Sequence, residues 1–229
     1  MHKSGKSAHE ARELQKRLSK KLEIRGKPHK INLLAAVDVA YINETSISLC
    51  VIVILSYPEL ELLSIISHHN KTSYPYIPGL LYFREGPVII ETFKKLKIKP
   101  DIVILDGHGI AHPRRFGLAS HIGLLLNIAA IGCAKSILYG SYKEPGEKRG
   151  SRTLLYNDQH KPVGIVLRSR ENVKPVFISP GHLVGIQESA DIVMNCLTRY
   201  RIPEPLRLAD IEVRRLKKKS LSDFQTTLG

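Results

Sequence analysis

The chain of 229 residues suits one α/β domain, and its 43% apolar-class and 24% charged residues are those of a globular protein, which excludes a disordered one. Its longest apolar stretch, Ile122 to Cys133, is broken by Asn127 and too short to span a bilayer, and no apolar segment follows the basic first residues, so neither a membrane span nor a secretory leader is expected and a cytoplasmic protein is. The net charge of +14 is concentrated at the ends: ten Lys/Arg against three Glu in residues 1–30, and eight against three acids in 199–219, which suits a nucleic-acid partner as well as it suits solvated surface.

In chain order, Leu14, Leu18 and Leu22 recur every four residues among Lys and Arg and predict an amphipathic helix over 9–24, closed by Pro28. INLLAAVDVAY (31–41) and SISLCVIVIL (46–55) are β-branched apolar runs joined through Ile42-Asn43-Glu44-Thr45 as a hairpin, and 60–68 adds a third strand. Pro75, Pro78 and Gly79 make 74–82 a restricted loop, and a helix over 84–97 is expected to carry Pro87 in its first turn, where a missing N–H is tolerated. DIVIL (101–105) is a short buried strand, 117–127 a buried helix, 131–136 a strand, and the Gly/Lys/Arg-rich stretch 140–162 an exposed loop or hairpin. Strands over 163–169 and 175–179, a helix over 184–197 and a basic helix over 206–219 complete the chain.

A meander followed by strand–helix alternation predicts an α/β fold with a mixed central sheet flanked by helices and the first strand in its interior. Expected boundaries are a basic arm over 1–30 that carries the amphipathic helix and packs on or extends the core, a single domain over 31–219, and a mobile tail over 220–229. Cys50, Cys133 and Cys196 are scattered and odd in number, so they fit small core residues in a reducing compartment and neither a disulfide framework nor a zinc site. A monomer is expected.

Two acids stand out against their surroundings. Asp38 interrupts an apolar strand, where an unpaired carboxylate is costly and needs a cation, an arginine or a metal. Asp106 ends DIVIL and is followed by Gly107-His108-Gly109, the carboxyl end of a strand beside a permissive turn, where ligand crevices form. If those two strands are neighbours the acids converge, and Glu85, at a helix start, can point to the same place. Oxygen ligands suit Mg²⁺ or Mn²⁺, and such ions activate a water and stabilise a leaving oxygen in phosphodiester cleavage. An ion pair or helix cap for each acid is the plain alternative, and spacing alone does not decide.

PYIPGLLYFRE (75–85), PDIVILDGHGIAHPRRFGLASHIG (100–123) and IGCAKS (131–136) resemble, in order and spacing, the core motifs of the endonuclease V family. AAVDVAY (35–41) resembles its first catalytic strand, and GHLVGIQESADIV (181–193) with YRIPEPLRLADIEVRR (200–215) its C-terminal part, so the resemblance covers roughly residues 10–217. It implies an RNase H-like fold and Mg²⁺-dependent hydrolysis of the second phosphodiester bond 3′ to inosine, leaving 3′-hydroxyl and 5′-phosphate ends, in DNA repair or, alternatively, on inosine in single-stranded or transfer RNA. A non-catalytic nucleic-acid-binding protein on the same scaffold would have lost acids that are all present here.

By resemblance, Asp38, Glu85, Asp106 and Asp210 are the metal-binding acids and Lys135 the active-site lysine. Asp210 alone reads as a surface acid paired along a basic helix. Pro75, Tyr76, Ile77 and Pro78 match a strand-separating wedge, two prolines stiffening a loop that offers one aromatic face to an opened base stack. Gly79, Leu81, Gly107 and Gly109 match the pocket for the extruded base, although plain turn geometry explains glycines equally well. His112 and His182 match positions near the site, and Arg114 and Arg115 fit phosphate contacts or salt bridges. His108 stands where a small polar amide is expected, and NIAAIG departs from the family's common form.

Overall fold

The computed structural model describes residues 7–26, 28, 30–42 and 46–227, residues 220–227 by backbone alone. Residues 1–6 of the basic arm and Asn43–Thr45 of the expected hairpin turn lie outside that range. Helix α1 (Ala8–Ser19) opens on a reciprocal cap: the Ser7 hydroxyl accepts the Glu10 N–H while the Glu10 carboxylate accepts the Ser7 N–H. It ends at Ser19, well before Pro28. The Lys21 N–H turns back to the Leu18 carbonyl, and Leu22 and Ile24 then pack as extended chain against a small apolar cluster. Leucine spacing alone could not separate these last two side chains from the helical stripe.

β1 (Leu33–Ile42), β2 (Ile47–Ser56) and β3 (Leu62–Lys71) form the antiparallel meander. α2 (Leu81–Phe93) leads to β4 (Ile102–Leu105), which pairs parallel with β1, and α3 (Leu118–Leu126) crosses over to β5 (Ala129–Ala134), parallel to β4. β6 (Ser141–Tyr142), β7 (Arg152–Tyr156), β8 (Pro162–Leu167) and β9 (Val176–His182) are antiparallel, and β9 joins them to β5. α4 (Ile186–Asn195) and α5 (Glu204–Thr227) finish the chain. One nine-stranded sheet results, in the order β3-β2-β1-β4-β5-β9-β8-β7-β6, with β1 in its interior as expected.

Because side chains alternate along a strand, each interior strand is apolar on both faces. Leu34, Ala36, Val51, Val53, Ile102 and Ile104 pack with Ile192, Val193, Leu206 and Val213 of α4 and α5. Ala35, Val37, Ile52, Ile54, Val103 and Leu105 pack with residues of α1, α2 and α3 on the other face. The three cysteines are buried and free, and burial pushes the Cys50 and Cys196 thiols up to about 12, so they serve as apolar filling. Among the described residues no helix is long and apolar enough to cross a membrane.

The start of α2 also differs from the sequence reading. α2 starts at Leu81, so Pro87 sits inside the helix and not in its first turn; Gly86 beside it makes room for the Tyr82 ring, which a Cβ there would meet. The stretch 140–162, expected as an exposed loop or hairpin, is a hairpin of the short strands β6 and β7, and β7 also pairs with β8 to extend the sheet.

Candidate active site

The register of two strands brings the first pair of acids together. β1 and β4 run parallel with Val37 opposite Leu105, so Asp38 and Asp106, each the next residue, emerge side by side. By alternation Asp38 shares the face of Leu34 and Ala36, which is the face α5 covers. On α5, buried Ala209 and Val213 fix the helix against the sheet, and Asp210 between them is placed near enough that its charge acts on both Asp38 and Lys135. Glu85 arrives from α2, and its charge environment includes both Asp38 and Asp106. Lys135 follows the last residue of β5 and its ammonium is paired with Asp106 Oδ2.

Burial and crowding of like charge set the protonation of this cluster. Burial, then the charge of Asp106, pushes the Asp38 carboxyl up to about 7, against the pull of the Val39 N–H that donates to its Oδ1 (2.9 Å). Burial likewise pushes Glu85 up to about 8, opposed by the Tyr41 hydroxyl that donates to its Oε1 (2.8 Å) and reinforced by Asp38 and Asp106. Burial works against the Lys135 ammonium, but the neighbouring Asp106, Asp38 and Asp210 together lift its pKa. Asp210 accepts from Arg214 Nε (2.9 Å), the i,i+4 pair expected of a surface acid, and its charge also reaches Asp38 and Lys135.

Among the described residues no three His, Cys, Asp or Glu side chains close into a cage around a metal. The donor set nonetheless fits Mg²⁺, which dehydrates reluctantly and takes one or two carboxylates with its remaining positions filled by water and phosphate. The acids that raise one another's pKa form an anionic cluster that a divalent cation would relieve, whereas a thiolate or imidazole set for zinc is missing from it.

Beside Asp106 and Lys135 opens a crevice of about 400 Å³, walled by Tyr76, Gly79, Leu81, Gly107, His108 and Leu118 among others. The loop before α2 is rooted at both ends by buried Tyr74 and Leu80, and Ile77 packs on the core. Tyr76 is left 67% exposed at the mouth, an aromatic face that no core contact explains. Gly79 adopts φ +78°, a conformation that a side chain disfavours. Its carbonyl accepts from His112 Nε2 (2.9 Å) and Arg114 Nη2 (2.9 Å). His112 Nδ1 accepts the Arg114 N–H (3.1 Å), so the ring carries its proton on Nε2, and burial keeps it neutral, with its pKa down at about 4. His108, also held down to about 4 by burial, lies in the crevice wall.

Three expected site residues are not brought here. Gly109 is buried behind the crevice: its N–H donates to Ser179 Oγ (2.8 Å), and a Cβ would collide with the Pro180 carbonyl. His182 lies at the opposite end of the sheet, because β9 runs antiparallel to β5 and pairs it with Ala130, not with the end near Lys135. There its Nδ1 accepts the Glu23 N–H (3.3 Å). Arg115 is exposed on the turn before α3, at φ +51°, and does not line the crevice.

Three residues that sequence reasoning passed over support the site. Tyr41 holds Glu85 and lies under the Arg84 guanidinium (4.1 Å). Arg201 donates to the Lys135, Lys174 and Pro175 carbonyls (2.6, 2.7 and 2.8 Å), tying the turn that carries Lys135 to the start of β9 and the approach to α5. Gln15, polar within the apolar face of α1 and only 1% exposed, reaches Gly79. A buried glutamine in a leucine stripe was a visible signal.

Residues 12–211 match the family model described as Endonuclease V. The chain is 47% identical over 203 residues to the endonuclease V of Dictyoglomus turgidum, spanning 89% of this chain and 88% of that one. The crystal structure of the Bacillus subtilis endonuclease V superposes with a TM-score of 0.91 at 31% identity and 97% coverage of both chains. A Ciona intestinalis endonuclease V, solved with a 24mer DNA containing an inosine followed by a ribo-adenosine, gives 0.80 at 28% identity, covering 92% of this chain and 98% of that one. The nine-stranded mixed sheet with helices on both faces is the RNase H-like fold of these structures.

Proposed function

This chain belongs to the endonuclease V family and is thus a nuclease that hydrolyses phosphodiester bonds, and from that premise we propose that it recognises inosine in DNA and cuts the second phosphodiester bond on its 3′ side. The ends left would be a 3′-hydroxyl and a 5′-phosphate, and the role one of repair. The observation that carries this reading is the adjacency of the acid cluster, with Lys135, to a base-sized crevice whose mouth displays Tyr76. The inosine-containing DNA bound by the Ciona relative supports it.

Asp38, Glu85, Asp106 and Asp210 would hold Mg²⁺, one or two of them directly and the others through its bound waters, and Mn²⁺ would substitute. Bound there, the ion supplies a water acidified for attack and neutralises charge at the leaving oxygen. The chain's own part is positional. The Lys135 ammonium, fixed by Asp106, stands ready to share its charge with a phosphate oxygen as negative charge develops. Tyr76 fills the gap left by an extruded base, and the Gly79, Leu81 and Gly107 walls receive that base without an intervening long side chain. The cut would fall away from the recognised base because Asp106 alone of the four acids lines the crevice, with Lys135 beside it, while Asp38, Glu85 and Asp210 stand outside its walls.

A second reading, inosine in RNA, is supported by the ribo-adenosine that follows inosine in the Ciona complex; a requirement for RNA means a contact to the 2′-hydroxyl. With Mg²⁺, we expect an inosine-containing DNA strand to be nicked one nucleotide beyond the lesion, and matched RNA run beside it ranks the two substrates. Asp106→Asn should lower nicking by at least 10³-fold, on the order of 4 kcal/mol in the barrier, while the strand is still bound. Nicking by that variant at the unsubstituted rate, or equal cutting of undamaged strands, would remove the proposal.

A further inference from the structure

The Gly79 carbonyl, in the crevice wall, is held by three side chains from two separate segments. Gln15 Nε2 donates to it (3.0 Å), as do His112 Nε2 and Arg114 Nη2 (2.9 Å each). Three donors exceed the two lone pairs of a carbonyl oxygen, so this peptide is saturated on one side. On its other side the Leu80 N–H donates to the Ile77 carbonyl (2.9 Å). The Gly79–Leu80 peptide plane is thus fixed at both ends, between the wedge segment and Leu81.

Gln15 is the keystone of this arrangement. Its Nε2 also donates to the Phe116 carbonyl (3.0 Å), and its Oε1 accepts from Arg114 Nε (2.6 Å), so every polar atom of the side chain is engaged. It joins α1 to two loops that are distant in sequence, the one before α2 and the one before α3. A buried amide used only as packing would be replaceable by methionine at little loss of fit; one with both amide hydrogens and its oxygen engaged at the walls of a ligand crevice has a geometric task.

We infer that Gln15 is a positioning residue for base discrimination, an inference that rests on the proposed recognition of inosine. Hypoxanthine presents an N–H donor at N1 and an acceptor at O6, whereas adenine presents the reverse. A wall of backbone groups separates the two only while its own donors and acceptors keep fixed distances, and displacements of half an ångström weaken that choice. The N-terminal helix thereby becomes part of the recognition apparatus, although none of its residues is an acid of the cluster.

The test compares kcat/KM on two strands that differ only in inosine or adenine at one position, for the unsubstituted protein, Gln15→Met, Arg114→Met and the double variant, with Tm measured for each. Gln15→Met should lower the inosine-to-adenine ratio at least tenfold, mainly through KM on the inosine strand. Arg114→Met should act in the same direction, and the double variant should lose no more than the larger single effect, since both side chains act on one carbonyl. If Gln15→Met does not fold, Gln15→Glu carries the test: it keeps an acceptor for Arg114, loses both donated bonds, and should also lower the ratio. A variant that melts earlier but keeps the ratio would make Gln15 a structural residue only, and additive losses would overturn the shared-carbonyl argument. An unsubstituted protein with a ratio near one would instead overturn the inosine reading on which this inference stands.

Discussion

The acids of the cluster are held in a state that costs stability when no cation is present. Asp38, pushed up to about 7, and Glu85, pushed up to about 8, bind protons in the folded chain at pH values where an unfolded chain has released them. Their contribution is fully present below about pH 4, the unfolded value, and is lost as pH rises through 7 to 8. His108 and His112 act in the opposite sense, because both are held neutral with pKa values near 4 and favour the folded chain as pH rises to about 6.5. Above that point the histidines are neutral in both states and the acids decide. In chelator, stability should therefore fall between pH 7 and 9 by an amount on the order of 1–3 kcal/mol, read as a lower Tm, and Asp38→Asn should flatten that slope and raise Tm at pH 9. A Tm that rises over this window would exclude the burial and like-charge account. At this scale the sequence was informative about Asp38 and Asp106, because an acid in or at the end of an apolar strand violates the local pattern. It was silent on Glu85's partner Tyr41, since a tyrosine in a strand obeys the pattern and shows its use only when α2 is laid beside β1.

Strand direction explains most of what the elements did not disclose. Gly109 and His182 sit in motifs of the resemblance, yet which end of a sheet a motif occupies depends on how its strand pairs. β9 runs antiparallel to β5, which carries His182 away from Lys135, while Gly109 lies where the chain after β4 presses against Ser179 and Pro180. Gly109 is thus a packing glycine, with backbone carbonyls and not flexible side chains against it. Gly109→Ala should cost about 3 kcal/mol, at the upper end of overpacking because backbone must move, and lower Tm by roughly 6–12 °C. Thermal melting checks this, and a change under 2 °C would show that the turn relaxes freely. The apolar strands and buried helices were legible because period and length agree with burial on both faces. Pro87 was misplaced by one turn because the start of α2 has no side-chain cap to mark it.

For the whole molecule, composition left the basic ends undecided between a nucleic-acid surface and plain solvation. The fold narrows the choice for one of them. α5 carries Asp210 in its first half and Arg214, Arg215, Lys217 and Lys218 beyond it; Arg214 and Arg215 pair with Asp210 and Glu212, whereas Lys218 is exposed and Lys217 partly so, and cations thus continue from the acid cluster along a single helix. At 1.5 Å per residue Lys217 and Lys218 lie about 10–12 Å from Asp210 along that axis, a distance of a few nucleotides on an extended strand. Long-range attraction falls off over a Debye length of about 8 Å at physiological salt, so cations at this range act on the phosphates flanking the scissile one and not on the reacting atoms. Replacing both lysines by serine should therefore weaken binding of inosine and adenine strands alike. It should also reduce the slope of log K against log salt by roughly 0.7 per lost contact on single strands, about 1.4 in all. Binding measured from 50 to 300 mM salt decides it: an unchanged slope assigns these lysines to solvated surface, whereas a changed inosine-to-adenine ratio would place recognition on α5, contrary to the crevice that Gly79, Leu81 and Gly107 line.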